Sequence, residues 1–527
     1  MSSRELESRI MAALDGGDVA GAASLAQGAL DQGAPPTPLI LNLAAWAHEQ
    51  RGDLAAAEAL LRKALSLSPG DPLILAALAG IARRTGDWAK ALSLTGQALA
   101  ADPGCASAWL ERGFALDSSG RVADAAGSFA RASSLDPGAA PAWGGLSNAA
   151  ARLGDLPRAR EAAAHAFALS PLEPLAVFGQ SRADMAEGNF APAVARLEAL
   201  LRAEPAPDNR LVALALLGDA QTRLGDIDAA YDAYRLAGEA FLALHGPGPP
   251  ESQTRFVQRI EAGLRAASPE RWPRATHTPV PGEAARHIFV IGFPRSGTTL
   301  MENILASLPG AHALEERPTL EAADLDFLLP EGGVEALVSL SDSAVTRYRQ
   351  AYWNAVFAAG VPRDAGLFID MDPMKSLRLP LIARLFPDAH IVFMRRDPRD
   401  VVWSCFKTAF GPSSAAFEFT SLERTAILYD AVMNLIERSR ELLPLYFHEI
   451  GYERLVSDFA AETQRLCASL GIGWTDDLLR FDRTAERRGV ATASIGQVRR
   501  GLYDGSGQWR PFERHMAPVL PILERWL

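Results

Sequence analysis

Two patterns of hydrophobic and polar residues divide the chain into halves. In the first half alanine is abundant and small residues recur at a fixed interval, which favours helices. In the second half, apolar runs of strand length, HIFVIGF from His287 and HIVFM from His390, are each followed by a turn and a helix. The two patterns predict an all-helical region followed by an α/β region.

The repeat interval in the first half is 34 residues. Glycine, alanine and proline all keep this interval through five copies, whereas the flanking copies near Gly17 and Gly225 are less regular. The positions in register are Gly52, Gly86, Gly120, Gly154 and Gly188; Ala57, Ala91, Ala125, Ala159 and Ala193; and Pro69, Pro103, Pro137, Pro171 and Pro205.

Each copy has the composition of a helix–turn–helix unit. The glycine ends the first helix in the left-handed conformation, and an aspartate that often follows it caps the next helix. The alanine lets the two helices approach closely, and the proline ends the unit because it cannot continue a helix. The predicted caps are Asp53, Asp87, Asp155 and Asp226.

This pattern resembles the tetratricopeptide repeat (TPR), over roughly residues 4–242. The resemblance implies an all-α TPR solenoid over residues 1–242, whose concave groove binds a protein or peptide acceptor. A spacer or oligomerisation arm is the alternative. Residues 243–284 break the pattern, and their loop, amphipathic helix and proline-rich stretch predict a linker.

A glycine-bounded turn follows the first predicted strand. Gly292 and Gly297 have the spacing of a phosphate-binding P-loop, GxxxxGK[ST], but Thr298 stands in place of the lysine and the loop carries Arg295. Backbone N–H groups and a helix start can cradle an anion there. A transferring sulfuryl group carries less negative charge than a phosphoryl group, so arginine, hydroxyls and amides can suffice without a metal.

A second basic motif follows the strand HIVFM. Arg396 and Ser404 lie eight residues apart, and together they offer a charged fork and a hydroxyl to a phosphate. Taken alone, the arginines could equally form a solvated salt-bridge cluster with Asp397 and Asp400.

The motif PRSGTTL resembles the 5′-phosphosulfate loop of sulfotransferases that use 3′-phosphoadenylyl sulfate (PAPS), and the Arg396–Ser404 interval matches their 3′-phosphate site. The resemblance covers residues 285–527 and implies an α/β P-loop-like sulfotransferase domain with a parallel sheet. It is closest to bacterial repeat-containing sulfotransferases, which are similar to tyrosylprotein sulfotransferases. The cofactor-binding residues that it implies are Arg295, Ser296, Gly297, Thr298, Thr299, Arg396, Ser404, Tyr452 and Ser494, with Gln497, Arg499 and Trp509 as weaker candidates.

The resemblance also implies a catalytic base. In tyrosylprotein-type enzymes a glutamate lies 21 residues after the loop arginine, and Glu316 has that position relative to Arg295. Glu315 is the neighbouring alternative, and His312 is a second, since cytosolic members of the superfamily use histidine. The non-functional interpretation is that all three residues lie on a solvent-exposed loop.

One position departs from the family pattern. Relatives carry a lysine two residues before a proline, where this chain has Met371. Lys375 follows the proline by two residues and is a candidate replacement, as is Arg295 with the loop amides. The departure leaves a weakened or specialised active site open.

Composition narrows the classes of function. The 527 residues are 48% hydrophobic and 22% charged, which excludes global disorder. A net charge of −11 argues against broad binding of nucleic acid or anionic membranes. Three distant cysteines predict neither disulfides nor a metal site, and the scattered histidines indicate no metal. With no long apolar run and no signal peptide, a cytoplasmic protein is expected.

The predicted reaction is therefore transfer of a sulfuryl group from PAPS to an acceptor hydroxyl, with protein or peptide tyrosine as the first choice. Acceptor contacts are expected from the loop 407–419. Sulfation of a glycan or small molecule is the alternative. An ATP-dependent phosphotransferase, with GLFID ending in Asp370 as its Walker B strand, and a non-catalytic TPR adaptor are rival hypotheses.

Overall fold

The computed structural model describes residues 3–267, 272, 279–488, 502 and 504–527. The chain divides into two compact units, Met1–Pro205 and Ala206–Leu527. Within the described residues, no helix combines the length and the apolar character needed to cross a bilayer.

The first unit is a series of antiparallel helix pairs, which confirms the predicted all-α TPR solenoid. Its helices are α1 (Ser3–Asp15), α2 (Val19–Asp31), α3 (Pro38–Gln50), α4 (Leu54–Leu67), α5 (Pro72–Arg84), α6 (Trp88–Ala101), α7 (Ala106–Ser118), α8 (Val122–Leu135), α9 (Ala140–Leu153), α10 (Leu156–Leu169), α11 (Pro174–Ala186) and α12 (Phe190–Arg202).

The repeat residues take the roles that the sequence predicts. The glycines that end the first helices have left-handed backbones, as at Gly52, where φ is 80°, and Gly86, where φ is 82°. The carboxylate of Asp53 accepts a hydrogen bond from the backbone N–H of Ala56 at 3.1 Å, and the other predicted aspartate caps do the same. The alanines in register are fully buried between helices.

The second unit contains a parallel five-stranded sheet, as predicted. The strands are β1 (His287–Gly292), β2 (Ala311–Glu315), β3 (Leu367–Met371), β4 (His390–Arg395) and β5 (Tyr446–Gly451), in the order β2-β3-β1-β4-β5. The connection after β1 leads to β2 at one edge of the sheet, whereas the connection after β4 leads to β5 at the other edge. Ligand sites of open parallel sheets form at such a switch point, outside the carboxyl ends of the strands.

Helices cover both faces of this sheet. Phe289 and Ile291 of β1 point into one apolar core, and Ile288 and Val290 point into the other. The helices of the unit are α13 (Pro207–Leu224), α14 (Ile227–His245), α15 (Gln253–Ala266), α16 (Thr298–Leu305), α17 (Glu321–Ala323), α18 (Gly333–Val338), α19 (Asp342–Ala358), α20 (Leu379–Leu385), α21 (Pro398–Lys407), α22 (Ser414–Glu418), α23 (Leu422–Leu442), α24 (Tyr452–Ser457), α25 (Phe459–Leu470), α26 (Phe481–Arg488), α27 (Glu513–Met516) and α28 (Leu520–Leu523).

The helix pair α13–α14 continues the repeat pattern but packs within the second unit. The ring of Tyr234 lies edge-on to Trp403 of α21, with 5.7 Å between centroids. A Cβ added to Gly238 of α14 would lie only 2.2 Å from the carbonyl oxygen of Thr420. The boundaries predicted at residues 242 and 284 thus mark where the sequence periodicity changes. The boundary at Pro205 marks where one compactly packed unit ends and the next begins.

Candidate active site

Four of the residues singled out in the sequence follow the carboxyl ends of four strands. Arg295 follows β1, Glu316 follows β2, Arg396 follows β4 and Tyr452 follows β5. Since parallel strands end at the same edge of a sheet, this topology gathers the side chains at one crevice.

The loop after β1 has the backbone of an anion cradle. Arg295 and Gly297 both have positive φ, 72° and 103°, and α16 begins directly afterwards. A Cβ at Gly297 would lie 2.8 Å from the ring of Tyr452, so only glycine fits. The buried hydroxyl of Ser296 has no hydrogen-bond partner among the described residues. Amides, a helix start and an unpaired hydroxyl suit a phosphosulfate group.

Hydrogen bonds join this loop to the second basic motif. The Nε of Arg295 donates to Ser404 Oγ at 3.0 Å. The guanidinium of Arg396 donates to the Arg295 carbonyl at 3.0 Å and to the Gly505 carbonyl at 2.6 Å. It lies 4.5 Å from the ring centroid of Tyr452, and its buried Nε has no partner within the described ranges. The predicted 5′ and 3′ elements therefore share one crevice.

The described end of the chain packs over this crevice. Asp400 accepts hydrogen bonds from the backbone N–H groups of Gly507 at 2.7 Å and Trp509 at 3.1 Å. Arg399 lies 4.3 Å from the Trp509 ring centroid. Sequence reasoning assigned Asp400 only to a salt-bridge cluster and missed this role. The predicted ligand Ser494, with Gln497 and Arg499, lies outside the described residues.

Lys407 is a further cation, which the sequence analysis included only as the first residue of the predicted acceptor loop 407–419. Its Nζ donates to Gln508 Oε1 at 3.1 Å, and burial together with Arg295 and Arg396 lowers the pKa of its ammonium group, against the opposing charge of Asp219. No local signal distinguishes this lysine in the sequence, because its burial depends on contacts with distant segments.

Glu316 faces a cavity of about 160 Å³ that is also lined by Arg295, Thr298 and Thr299. Part of the residue is open to solvent, but the surrounding protein reduces hydration of the carboxylate. This desolvation, with the charges of Asp372 and Glu302, raises the pKa of Glu316 from its ordinary value of 4.5 to about 7, and Lys375 opposes the rise. A carboxylate with this pKa is suited to accept a proton at neutral pH.

The two alternatives to Glu316 lie on β2 itself. His312 is in the middle of the strand, and Glu315 is its last residue. Neither is among the residues that line the cavity, whereas Glu316 is. The backbone N–H of Glu316 donates to the Met371 carbonyl at 2.7 Å, which turns the chain out over the crevice.

Apolar side chains form part of the cavity wall. Phe410 and Phe419, with ring centroids 5.0 Å apart, both belong to the segment 407–419 and line the cavity together with Met374 and Ala415. Phe410 and Phe419 also line a smaller space against α13 and α14.

The candidate lysine does not line the cavity. Met371 is buried in β3, and Lys375 is 1% exposed, with its Nζ donating to Asp370 and, at 3.0 Å, to the Arg317 carbonyl. Asp370, the Walker B candidate, is therefore held in a buried ion pair. Within the described ranges no group of three or more His, Cys, Asp or Glu side chains is arranged to hold a metal ion.

Stretches of both parts of the chain match known protein families. Residues 287–476 match the sulfotransferase family, and residues 48–112, 8–72 and 115–174 match tetratricopeptide repeat families. The crystal structure of PilW, a type IV pilus biogenesis factor, aligns with a TM-score of 0.32 and 23% identity over 40% of this chain and 95% of PilW.

Three relatives each align with less than half of this chain. An uncharacterized protein of Aquifex aeolicus is 30% identical over 45% of this chain, and the alignment spans 32% of that protein. Protein-tyrosine sulfotransferase 1 of Danio rerio is 24% identical over 45% of this chain and 71% of its own length, and protein-tyrosine sulfotransferase 2 of Gallus gallus is 26% identical over 39% and 57%. The chain thus carries tetratricopeptide repeats and a sulfotransferase-family domain with weak similarity to protein-tyrosine sulfotransferases, as the motifs predict.

Proposed function

We propose that this sulfotransferase-family domain transfers the sulfuryl group of PAPS to an acceptor hydroxyl, and that the acceptor is a tyrosine in a protein or peptide. The proposal rests mainly on one observation: hydrogen bonds connect the Arg295 loop directly to Arg396 and Ser404 in one crevice. A donor with anionic groups at both the 5′ and the 3′ position of its ribose requires two basic elements within reach of each other.

The donor would be held from both ends. The 5′-phosphosulfate would bind at Arg295, Ser296, Gly297, Thr298 and Thr299, and the 3′-phosphate at Arg396 and Ser404. The unpartnered atoms Ser296 Oγ and Arg396 Nε support this assignment, because buried polar atoms in native proteins are usually paired, here by a ligand. Tyr452 and Ser494 would complete the nucleotide site.

Glu316 would act as the base. As the acceptor oxygen forms its bond to sulfur, its proton would pass to the Glu316 carboxylate, and the bond from sulfur to the 5′-phosphate oxygen would break. Arg295 and the loop amides would stabilise the charge that develops on the leaving phosphate. The products would be a sulfate ester and adenosine 3′,5′-bisphosphate.

A phenol fits the surroundings of Glu316. The apolar side chains of Phe410, Phe419 and Met374 line the same cavity as Glu316 and would pack on an aromatic ring. A tyrosine hydroxyl, with a pKa of about 10, is also more readily deprotonated than an aliphatic one. The TPR region supports a protein or peptide acceptor, because such solenoids offer an extended concave surface.

Two measurements test the proposal. Calorimetry should detect binding of adenosine 3′,5′-bisphosphate, and ATP with Mg²⁺ should bind much more weakly. Incubation with ³⁵S-labelled PAPS and a tyrosine-containing peptide library should then label peptides at tyrosine. Binding of ATP with Mg²⁺ in preference to the bisphosphate would contradict the donor, and labelling of glycans but not of peptides would contradict the acceptor.

A further inference from the structure

A buried polar network lies beneath the loop that carries Glu316. Its centre is Asp370, the fourth residue of β3, whose side chain is fully buried. Three side chains donate to this carboxylate: Lys375, Thr319 through Oγ1 at 2.9 Å, and Tyr352 through its hydroxyl at 2.8 Å. The mechanism proposed above uses none of them.

This network holds the loop at residues directly after Glu316. Lys375 Nζ donates to the Arg317 carbonyl at 3.0 Å, and Thr319 is fixed by its bond to Asp370. On the other side, the Glu316 N–H is bound to the Met371 carbonyl. Glu316 itself has a φ of 47°, in the left-handed region that a non-glycine residue adopts only when its surroundings impose it.

The network contains one positive and one negative side chain, and these two form an ion pair with each other. Tyr352 also lies 2.6 Å from His287 Nε2, and burial lowers the pKa of His287 and raises that of Tyr352, so both are neutral near pH 7. The remaining charges are those of Lys375 and Asp370, both buried. Separating such a pair would leave an uncompensated charge in the interior, so the pair resists rearrangement and fixes whatever is bonded to it.

We infer that the Lys375–Asp370 pair positions the catalytic base: it anchors Arg317 and Thr319 so that the Glu316 carboxylate stays at the cavity, and Lys375 does not touch the sulfuryl donor. This rests on the proposed role of Glu316. Other charged groups that act on the Glu316 carboxyl are Asp372, beyond the end of β3, and Glu302 of α16, and Arg295 lines the same cavity. Lys375 is therefore a positioning residue in this chain.

The first test removes one anchor while leaving every charge in place. Thr319→Val keeps the size of the side chain but deletes the hydroxyl that donates to Asp370. We expect kcat to fall about 10-fold or more, since small misplacements of a catalytic group are costly, while affinity for adenosine 3′,5′-bisphosphate is unchanged. Thr319→Ser should restore kcat, and Thr346→Val, at a partly exposed position of α19, should leave it unchanged. A lowered melting temperature with normal kcat would overturn the inference.

The second test asks whether Lys375 meets the donor. The double variant Asp370→Asn/Lys375→Met removes both charges and so leaves no unpaired charge buried. It should bind the bisphosphate as the wild type does and lose most of its turnover. Weakened bisphosphate binding would show that Lys375 serves the donor, and would overturn the inference.

Hydrogen exchange separates this inference from the proposed function. The backbone amides of Glu316, Arg317 and Thr319 should exchange faster in Thr319→Val than in the wild type, whether or not any acceptor is known. Unchanged exchange there would overturn the anchoring role. Failure of the wild type to bind the bisphosphate would instead refute the proposed function. Hydrogen exchange would still test whether the Lys375–Asp370 network anchors the loop.

Discussion

The raised pKa of Glu316 leads to a prediction about rate. If Glu316 is the base, only its ionised form is active, so kcat/KM for a tyrosine peptide should rise with pH and level off above the carboxyl pKa of about 7. Glu316→Gln should lose about 10²–10⁴ in rate, as for removal of a general base, and should lose the rising limb as well.

The same substitution, which should lower the rate, should raise the stability of the fold at high pH. A carboxyl whose pKa is higher in the folded than in the unfolded state binds protons more tightly when folded, so its contribution to stability falls as pH rises from about 4.5 to about 7. Solvent around the accessible carboxylate limits this loss to about 1 kcal/mol. Glu316→Gln, which cannot ionise, should therefore melt at a higher temperature than the wild type at pH 8, and the difference should vanish near pH 4.

The assay needs three proteins and two readouts. Transfer of ³⁵S from PAPS to a tyrosine peptide between pH 5.5 and 9, and melting curves between pH 4 and 9, would be measured for the wild type, Glu316→Gln and the neighbouring control Glu315→Gln. The control should keep the rate and the pH profile of the wild type. Near-wild-type turnover of Glu316→Gln, or an equal loss in Glu315→Gln, would refute the reasoning.

Further predictions concern nucleotide binding and packing. Arg396→Ala should weaken bisphosphate binding by about 1.5–3 kcal/mol in calorimetry, as for loss of a charged hydrogen bond. Arg395→Ala should leave binding unchanged, because the partners of Arg395 are glutamates. Equal affinities of the two variants for the bisphosphate would contradict the assignment. Gly238→Ala should lower the melting temperature, because its Cβ would meet the Thr420 carbonyl. Gly96→Ala, in a helix with open space around that position, should raise stability by about 0.5–1 kcal/mol, and a loss at both sites would refute the steric argument.

The sequence predicts the repeat region well because the determinants are local. A left-handed glycine such as Gly86, a capping aspartate such as Asp87 and an alanine such as Ala91 act within one helix pair, so spacing alone reveals them. The strands β1 and β4 were equally visible, because each is a buried apolar run followed by a loop with distinctive chemistry.

Long-range contacts explain what could not be predicted. Topology brings Arg295 and Ser404 to one edge of the sheet, but their direct hydrogen bond, between residues 109 positions apart, depends on side-chain packing. The burial of Lys375 against Asp370 was likewise hidden, since in the sequence Lys375 resembles any loop lysine. The apolar wall of Phe410 and Phe419 arises only where their segment meets the crevice.

The packing of α14 determines where the polypeptide can be cut. A fragment that starts at the first strand would expose the rings of Trp403 and Phe406, which Tyr234 otherwise covers, and would be prone to aggregate. A fragment that starts at Ala206 keeps this cover. Duplication or deletion of repeats in evolution would be tolerated upstream of that residue, whereas the final helix pair must be inherited together with the sheet.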